Sequence, residues 1–340
     1  MAKSIIGFDI GSGELKLALW DGALIRRVVR EPLLDNLVRE GRITSYEAMG
    51  DFIKETAKKH RVSGRDCAVV LPSGQAFLRR ISLPAMSVEQ LAVNLPYEFR
   101  DYLTMGKDQY FYDYAVNALV QGEDGAPAEL DLTAAAVPKQ TIGEYRDMFR
   151  RAGFKLRAAA PAECAYSALL RARAEASPEA AGKESCILDL GHAATRVHIF
   201  TGGRFEASRV IEYGSGTVDA AVADAMGVDE HVARTLKEAD HEGVQALEGP
   251  RNIYAAIAVE IMKAINFYGF NNRESNLRDA YCCGGGTRLP LLMEAVEKAV
   301  DLDMHGIGAL MPPAARTEED LSPFAAAVGI AMTWGGKRRG

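Results

Sequence analysis

Two stretches of this chain carry the same residue types in the same order. FDIGSGELKLAL, residues 8–19, sits over LDLGHAATRVHI, residues 188–199, when the two are aligned on their aspartates. Asp9 then matches Asp189, Gly11 matches Gly191, and Lys16 matches Arg196. In each, an apolar run ends in a carboxylate and turns through small residues. A turn of small residues lets backbone N–H groups approach a ligand closely, and such groups cradle phosphate oxygens. The hydroxyls of Ser12 and Thr195 add donors. An aspartate just before the turn cannot hold phosphate, but it can hold a hydrated divalent cation. Magnesium takes few carboxylates together with water and phosphate oxygens. Two facing turns of this kind would clamp a magnesium–nucleotide between two domains. Taken singly, either aspartate is equally readable as a cap of its own turn.

A third element is Gly284-Gly285-Gly286-Thr287 within DAYCCGGGTRLPLLMEAVEKAV, residues 279–300. Three glycines let a flat ligand lie against bare backbone, and a helix expected directly after them would offer free N–H groups and a positive dipole end. The pattern is neither G-x-G-x-x-G nor a P-loop, so no Rossmann or Walker site is indicated.

These residues need strands and turns to hold them. Residues 5–10 and 14–20 read as a hairpin across the GSG turn, and 185–200 as a second strand–turn–strand unit. Strands are expected at 67–72 and 77–84, and paired strands at 110–120 and 130–138 around a polar, Gly-rich loop. Helices are expected at 44–60, opening at Thr44 or Ser45, at 88–103 with a kink or split at Pro96, at 139–154 ending at Gly153, and at 163–176. SPEAAGKES, residues 177–185, reads as a linker between two halves of similar character. The repeat of the opening unit suggests two related domains.

Bulk properties fit this picture. A chain of 340 residues has room for two domains, and 48% hydrophobic with 25% charged residues is ordinary for a globular protein. A formal net charge of −6 argues against a nucleic-acid binder, and Lys337-Arg338-Arg339 is too short a basic tail to change that. The five cysteines are scattered without a CxxC, as in a reduced interior. The N-terminus lacks the shape of a signal peptide. The apolar segment 253–270 carries Glu260 and Lys263, so no membrane span is expected.

In combination, the motifs resemble the actin-like ATPase superfamily. FDIGSGELK is similar to its first phosphate motif, LDLGHAATR to its second, and YCCGGGTRLP to its adenosine motif. AECAYSALL (162–170) and FAAAVGIAM (324–332) stand where its two connecting helices belong. Within the superfamily the chain resembles the PilM family of type IV pilus assembly, related to the division protein FtsA. LPSGQAFLRRISLPAMSVEQLAVNLPYEFRDYL, AVPKQTIGEYRDMFRRAGFKL and VEIMKAINFYGFNN carry that resemblance. The C-terminal TWGGKRRG has no apolar face, unlike the amphipathic membrane helix usual in FtsA.

The resemblance implies an α/β actin-like (ribonuclease H-like) ATPase fold, with two similar domains around a nucleotide cleft. Residues 1–83, 158–184 and 325–340 would form domain 1A, and 84–157 an inserted α+β subdomain, 1C. Residues 185–324 would form domain 2, which is 2A with a 2B insertion at about 217–280. The implied cofactors are ATP and Mg2+, with Asp9 and Asp189 as metal ligands. The implied nucleotide contacts are Gly11, Ser12, Gly13, Lys16, Gly191, Thr195, Lys237, Gly284, Gly285, Gly286 and Thr287. Lys16 is alternatively a salt-bridged surface residue.

Glu163 matches the family's residue near the attacking water and joins Asp9 and Asp189 as a catalytic candidate. It would orient water or act as base, or else serve only as a helix-start acid favoured by the dipole. Any ATPase activity is expected to be weak. Two departures stand out. Arg234 occupies the place of an acid expected near the ribose, and His192 replaces a small polar residue in the second loop, where it would shift affinity or simply point to solvent.

The implied function is a cytoplasmic ATP-binding scaffold at the inner face of the membrane. It would dock the short cytoplasmic tail of a PilN-like inner-membrane protein between 1A and 1C. Tyr97, Phe99, Tyr102 and Tyr112 are the aromatic candidates for that groove, with ordinary core packing as the alternative for each. Self-association into FtsA-like filaments is a second reading, and a small-molecule kinase of the same fold a third, the latter lacking a clear catalytic Asp in a substrate-facing motif.

Overall fold

The computed structural model describes residues 4–335 apart from 35, 40, 124 and 316–319, so the C-terminal basic tail lies outside the described residues. In chain order the strands and helices are β1 (Ile5–Ile10), β2 (Glu14–Trp20), β3 (Ile25–Pro32), β4 (Val38–Arg39), β5 (Arg42–Ile43), α1 (Tyr46–Lys59), β6 (Asp66–Leu71) and β7 (Phe77–Pro84). There follow α2 (Val88–Glu98), β8 (Tyr110–Gln121), β9 (Pro127–Pro138), α3 (Lys139–Arg151), β10 (Lys155–Pro161) and α4 (Ala162–Ala176). The second half comprises β11 (Glu184–Leu190), β12 (Thr195–Thr201), β13 (Arg204–Ile211), α5 (Ser215–Met226), α6 (Glu230–Glu238), α7 (Glu248–Asn271), β14 (Asp279–Cys283), α8 (Pro290–Ala299), β15 (Asp303–Gly306) and α9 (Ala325–Gly335).

Two five-stranded sheets have one topology. The first runs β10-β6-β1-β2-β3 and the second β15-β14-β11-β12-β13. In each, an antiparallel meander continues into two parallel strands. The near-continuous apolar runs of β1, β6 and β11 follow from their central places, covered on both faces. Helices α4 and α9 fill the space between the sheets, and one core joins Ile5 and Trp20 of the first sheet to Ile187 and Phe200 of the second. Small residues allow the two helices to cross closely: a Cβ on Gly329 would sit 2.2 Å from the Ala165 carbonyl oxygen. The outer face of the first sheet is covered by α1 and α3, and that of the second by α5 to α8.

A three-stranded sheet, β7-β9-β8, with α2 packed on it, is inserted between β6 and α3 and has its own core around Phe99, Leu91, Leu95 and Leu132. Helix α2 begins with a capping box between Ser87 and Gln90. It runs through Pro96 but stops at Glu98, short of the expected 103. Phe99 is buried there, and the amides of Tyr102 and Leu103 fold back onto its carbonyl in a turn. Strands β8 and β9 are longer than expected and shrink the polar loop to residues 122–126. The segment 177–185 holds a short 3-10 turn at Pro178–Ala180 and the start of β11.

Helix α7 is long and apolar enough to cross a membrane by length and composition alone. Its Tyr254, Ile257, Ala258 and Ile261 are nevertheless buried in the second core, and Lys263 bonds Glu260 on its surface. All five cysteines are free.

Candidate functional site

The two hairpins match in register. Asp9 pairs across β1–β2 with Lys16, and Asp189 pairs across β11–β12 with Arg196. The Gly11 amide closes its turn onto Glu14 O at 3.0 Å, and the Gly191 amide closes its turn onto Ala194 O at 3.1 Å. The amides of Ser12, Gly13, His192 and Ala193 donate no hydrogen bond within the described residues. Each turn therefore presents unspent donors.

The turns border a cleft of about 490 Å³, which is also lined by Asp9, Lys16, Glu163, Asp189, Arg196, Arg234, Lys237, Gly284 and Gly285. Lys16 Nζ lies 3.7 Å from Asp9 Oδ2. Burial pushes the Asp9 carboxyl above its ordinary range and the charge of Asp189 adds to this, against the pull of Lys16. Two carboxylates that strain against one another in a half-closed space suit a divalent cation. Among the described residues no group of three or more His, Cys, Asp or Glu side chains forms a metal cage. The remaining ligands would be water and phosphate.

Gly284 forms the third wall. Its φ is +86°, and a Cβ there would meet Leu190 O at 2.4 Å and Asp189 Oδ1 at 2.8 Å. Only glycine fits this close crossing. The helix expected directly after the glycines begins later, at Pro290, because Gly285–Arg288 forms a 3-10 turn first. Three further expectations are corrected here. Thr195 is 1% exposed: it pairs with Leu190, one residue on from the Asp189–Arg196 pair, and strand alternation turns it to the opposite face. Gly286 packs against Leu190 on that same hidden side. The Thr287 hydroxyl is spent on Gly284 O at 2.8 Å. None of the three lines the cleft.

Glu163 begins α4 and reaches across to the second sheet. Its Oε1 is 3.4 Å from Nδ1 of His198, which is 1% exposed. Burial, the largest single influence, would raise the Glu163 carboxyl, but His198, the Glu163 backbone amide and Arg196 together hold it below the ordinary value. Tyr166, one turn on, sets its ring against His198 at a tilt of 48° with centroids 5.4 Å apart and donates to Asp189 Oδ2 at 3.2 Å. Glu163 is thus a cleft carboxylate with a buried partner, not a freely solvated helix-start acid.

Asp219 is a hub that the sequence alone does not expose. It is 1% exposed in α5, receives Lys237 Nζ at 2.5 Å, and lies 3.4 Å from Arg234 Nε. Lys237 also donates to Ser215 O at 2.9 Å, so its charge is already engaged at the cleft wall. His192 does not point to solvent. Its Nε2 lies 3.0 Å from Arg234 Nη2, and burial and then the Arg234 charge hold its pKa below the ordinary value.

Crossbars join the two lobes. Arg196 donates to Ser73 Oγ at 2.9 and 2.7 Å, and Arg288 lies 4.0 Å from Glu14. His198, Asp219, Tyr166 and Ser73 escape sequence reasoning because each is a single polar residue inside an apolar element or loop. A cavity of about 530 Å³ beside Arg65, Arg150, Lys155 and Arg157 contains none of the candidate residues.

In the inserted subdomain, Tyr97 of α2 and Tyr102 of the turn after it are 50% and 45% exposed. Lys107 lies over the Tyr97 ring at 4.2 Å and Arg79 over the Tyr102 ring at 4.1 Å. Tyr112 is half-buried and donates to Lys107 O at 3.0 Å. Phe99 is fully buried under them and belongs to the core, which corrects its expected place on the surface.

Two sheets of one topology, matching Asp-bearing hairpins and a cleft between them define an actin-like ATPase fold with an inserted α+β subdomain. The solved structures of similar fold agree. A PilM–PilN type IV pilus biogenesis complex matches at 20% identity over 98% of this chain and 99% of that one, with a TM-score of 0.83. The ethanolamine utilization protein EutJ from Carboxydothermus hydrogenoformans matches at 15% identity over 96% and 88%, with a TM-score of 0.58. MreB 5 of Spiroplasma citri, solved bound to AMPPNP, matches at 10% identity over 97% and 95%, with a TM-score of 0.55. No curated protein sequence matches at a significant level. The profile of the family described as type IV pilus assembly protein PilM matches residues 7–332, and the chain belongs to that family.

Proposed function

We propose that this protein is a cytoplasmic, nucleotide-binding scaffold of the type IV pilus assembly platform. Its cleft takes Mg–ATP, and its inserted subdomain docks the cytoplasmic tail of a PilN-like inner-membrane protein, which holds it at the membrane. The observation that carries the nucleotide half is the pair of in-register hairpins facing one cleft, with unspent turn amides and a carboxylate from each. Asp9 and Asp189 would hold the magnesium through its water shell, and the ion would supply charge neutralisation at the phosphates. The free amides of the turns with Lys16 would hold the phosphate tail, and Gly284 and Gly285 would face the nucleoside.

Glu163, which lines the cleft, would orient or deprotonate a water. Its carboxyl lies below the ordinary value, which suits an acceptor rather than a donor. The insertion expected at 84–157 instead runs from β7 to β9, because β7 pairs within the inserted sheet while α3 and β10 belong to the first. The chain then divides as 1A (1–76, 139–184 and 325–340), 1C (77–138) and domain 2 (185–324, with 2B at about 217–280), and nucleotide closes domain 2 onto 1A. Closure alters the groove that the partner reads, and no rapid turnover is needed.

Family membership, the presence of PilN in a complex of similar structure, and the exposed Tyr97 and Tyr102 support the docking half. The test is a pulldown with the N-terminal tail peptide of the PilN-like protein, with and without Mg–ATP. Retention on the wild type and loss on the Tyr97→Ala/Tyr102→Ala double variant is the expected result. Absence of binding to the wild type in both nucleotide states overturns the docking half.

A further inference from the structure

Arg234 is the residue at which this chain departs from the acid expected near a ribose, and its geometry gives it a different task. It projects from α6 of the second lobe. Its Nη2 lies 3.0 Å from His192 Nε2 in the second turn, and its Nε lies 3.4 Å from buried Asp219. Its remaining edge faces the first lobe. A Cβ built on Gly13 would stand 3.1 Å from Arg234 Nη1. Nη1 itself makes no hydrogen bond within the described residues. One guanidinium therefore touches both turns, braced from behind and with donors free towards the cleft.

The other cleft cations have partners of their own. Lys16 faces Asp9, Arg196 is bonded to Ser73, Lys237 is locked on Asp219, and Arg288 leans to Glu14. A polyphosphate entering between carboxylates Asp9, Glu14 and Asp189 needs compensating positive charge, and a planar fork is well matched to phosphate oxygens. An acid at the same place would repel it.

We propose that Arg234 is a second phosphate-reading cation of the cleft, beside Lys16: it binds the polyphosphate of the nucleotide between the two turns and so couples closure of α6 onto the first lobe to the presence of that tail. This rests on the nucleotide reading above. His192 and Asp219 act as positioning residues for it. His192 can face the guanidinium only through an unprotonated Nε2, so the brace requires the neutral imidazole.

The test is binding of ATP, ADP and adenosine, each with magnesium, to the wild type, Arg234→Ala, Arg234→Lys and Arg234→Glu. Calorimetry measures the nucleotides and ligand-observed NMR measures adenosine. The expected result is that Arg234→Ala weakens ATP and ADP by about tenfold or more while adenosine changes less than about twofold. Lysine should restore part of the loss and glutamate deepen it. Retained adenosine binding itself shows that the variants are folded. Equal weakening of adenosine and ATP, no change in either, or tighter ATP binding by the alanine variant overturns the proposal and leaves the nucleotide reading standing. A folded wild type that binds none of the three overturns both.

Discussion

Asp9 and Asp189 occupy the same register position in two hairpins of different lobes, the first opposite Lys16 and the second opposite Arg196, and both face one cleft. Burial disfavours the charge on Asp9, and the nearness of Asp189 adds to this. An aspartate with a raised folded-state pKa stabilises the fold at low pH and loses that contribution as pH rises through the folded value. At neutral pH the charged form therefore costs stability that a bound cation would offset. Asp9→Asn is expected to raise the melting temperature of the nucleotide-free protein by a few degrees while weakening Mg–ATP about tenfold or more. Paired thermal melts with and without Mg–ATP check this; a lower melting temperature in the nucleotide-free variant contradicts the account.

Glu163 gives a kinetic prediction. If it handles the attacking water, Glu163→Gln should lower the basal ATP hydrolysis rate by roughly 10²-fold or more, the usual size of a general-base effect, while leaving ATP affinity within about threefold. Glutamine keeps the shape and an acceptor but cannot take the proton. A rate within about twofold of wild type would assign Glu163 to interdomain pairing with His198 alone.

Much of this site is readable from residue type and spacing, and the limits have physical causes. The hairpins are legible because small residues after an aspartate at the end of an apolar run make a local pattern, and the repeat doubles it. Their equivalence in register agrees with the two-lobe reading. Thr195 and Thr287 mislead because a hydroxyl near a phosphate turn looks useful whichever way it points. Strand alternation hides the first, and the second is spent on its own turn. Asp219 and His198 are invisible because their partners lie on other elements, and no spacing rule connects α5 to α6 side chains or β12 to the start of α4. Helix α2 is shorter than its composition suggests because residues 99–103 remain turn-like once Phe99 anchors them in the core.

His192 sets a pH dependence. Burial, followed by the charge of Arg234 and with a smaller part from Lys237, lowers its pKa; Asp219 and Glu14 act the other way without prevailing. The unfolded chain thus takes up the proton first as pH falls. The stability tied to neutral His192 is full above the ordinary histidine value of about 6.5 and is lost below it as pH falls through the depressed folded value. His192→Gln retains an acceptor for Arg234 but does not titrate. Its melting temperature should fall less steeply than that of wild type from about pH 6.5 to pH 5. Parallel slopes would show that other groups carry the acid sensitivity.

Phe99 and Tyr102, three residues apart in sequence, are expected to separate stability from docking. Phe99 is fully buried beneath the inserted sheet, 5.9 Å from the Tyr112 ring between centroids, so Phe99→Ala should cost about 3–5 kcal/mol in urea unfolding of that subdomain. Tyr102 is 45% exposed with Arg79 stacked on it, and truncation to alanine there removes little core. If its ring anchors the partner tail, Tyr102→Ala should leave the unfolding curve within about 0.5 kcal/mol of wild type, the ordinary range for surface substitutions. It should also weaken the tail peptide by about 2 kcal/mol, roughly thirtyfold, as expected of an aromatic hot spot. Fluorescence anisotropy of the labelled tail measures the second effect independently of the first. Unchanged affinity in Tyr102→Ala, with stability also unchanged, would move the docking face away from this aromatic pair and onto the neighbouring exposed Phe111 and Val116 of β8.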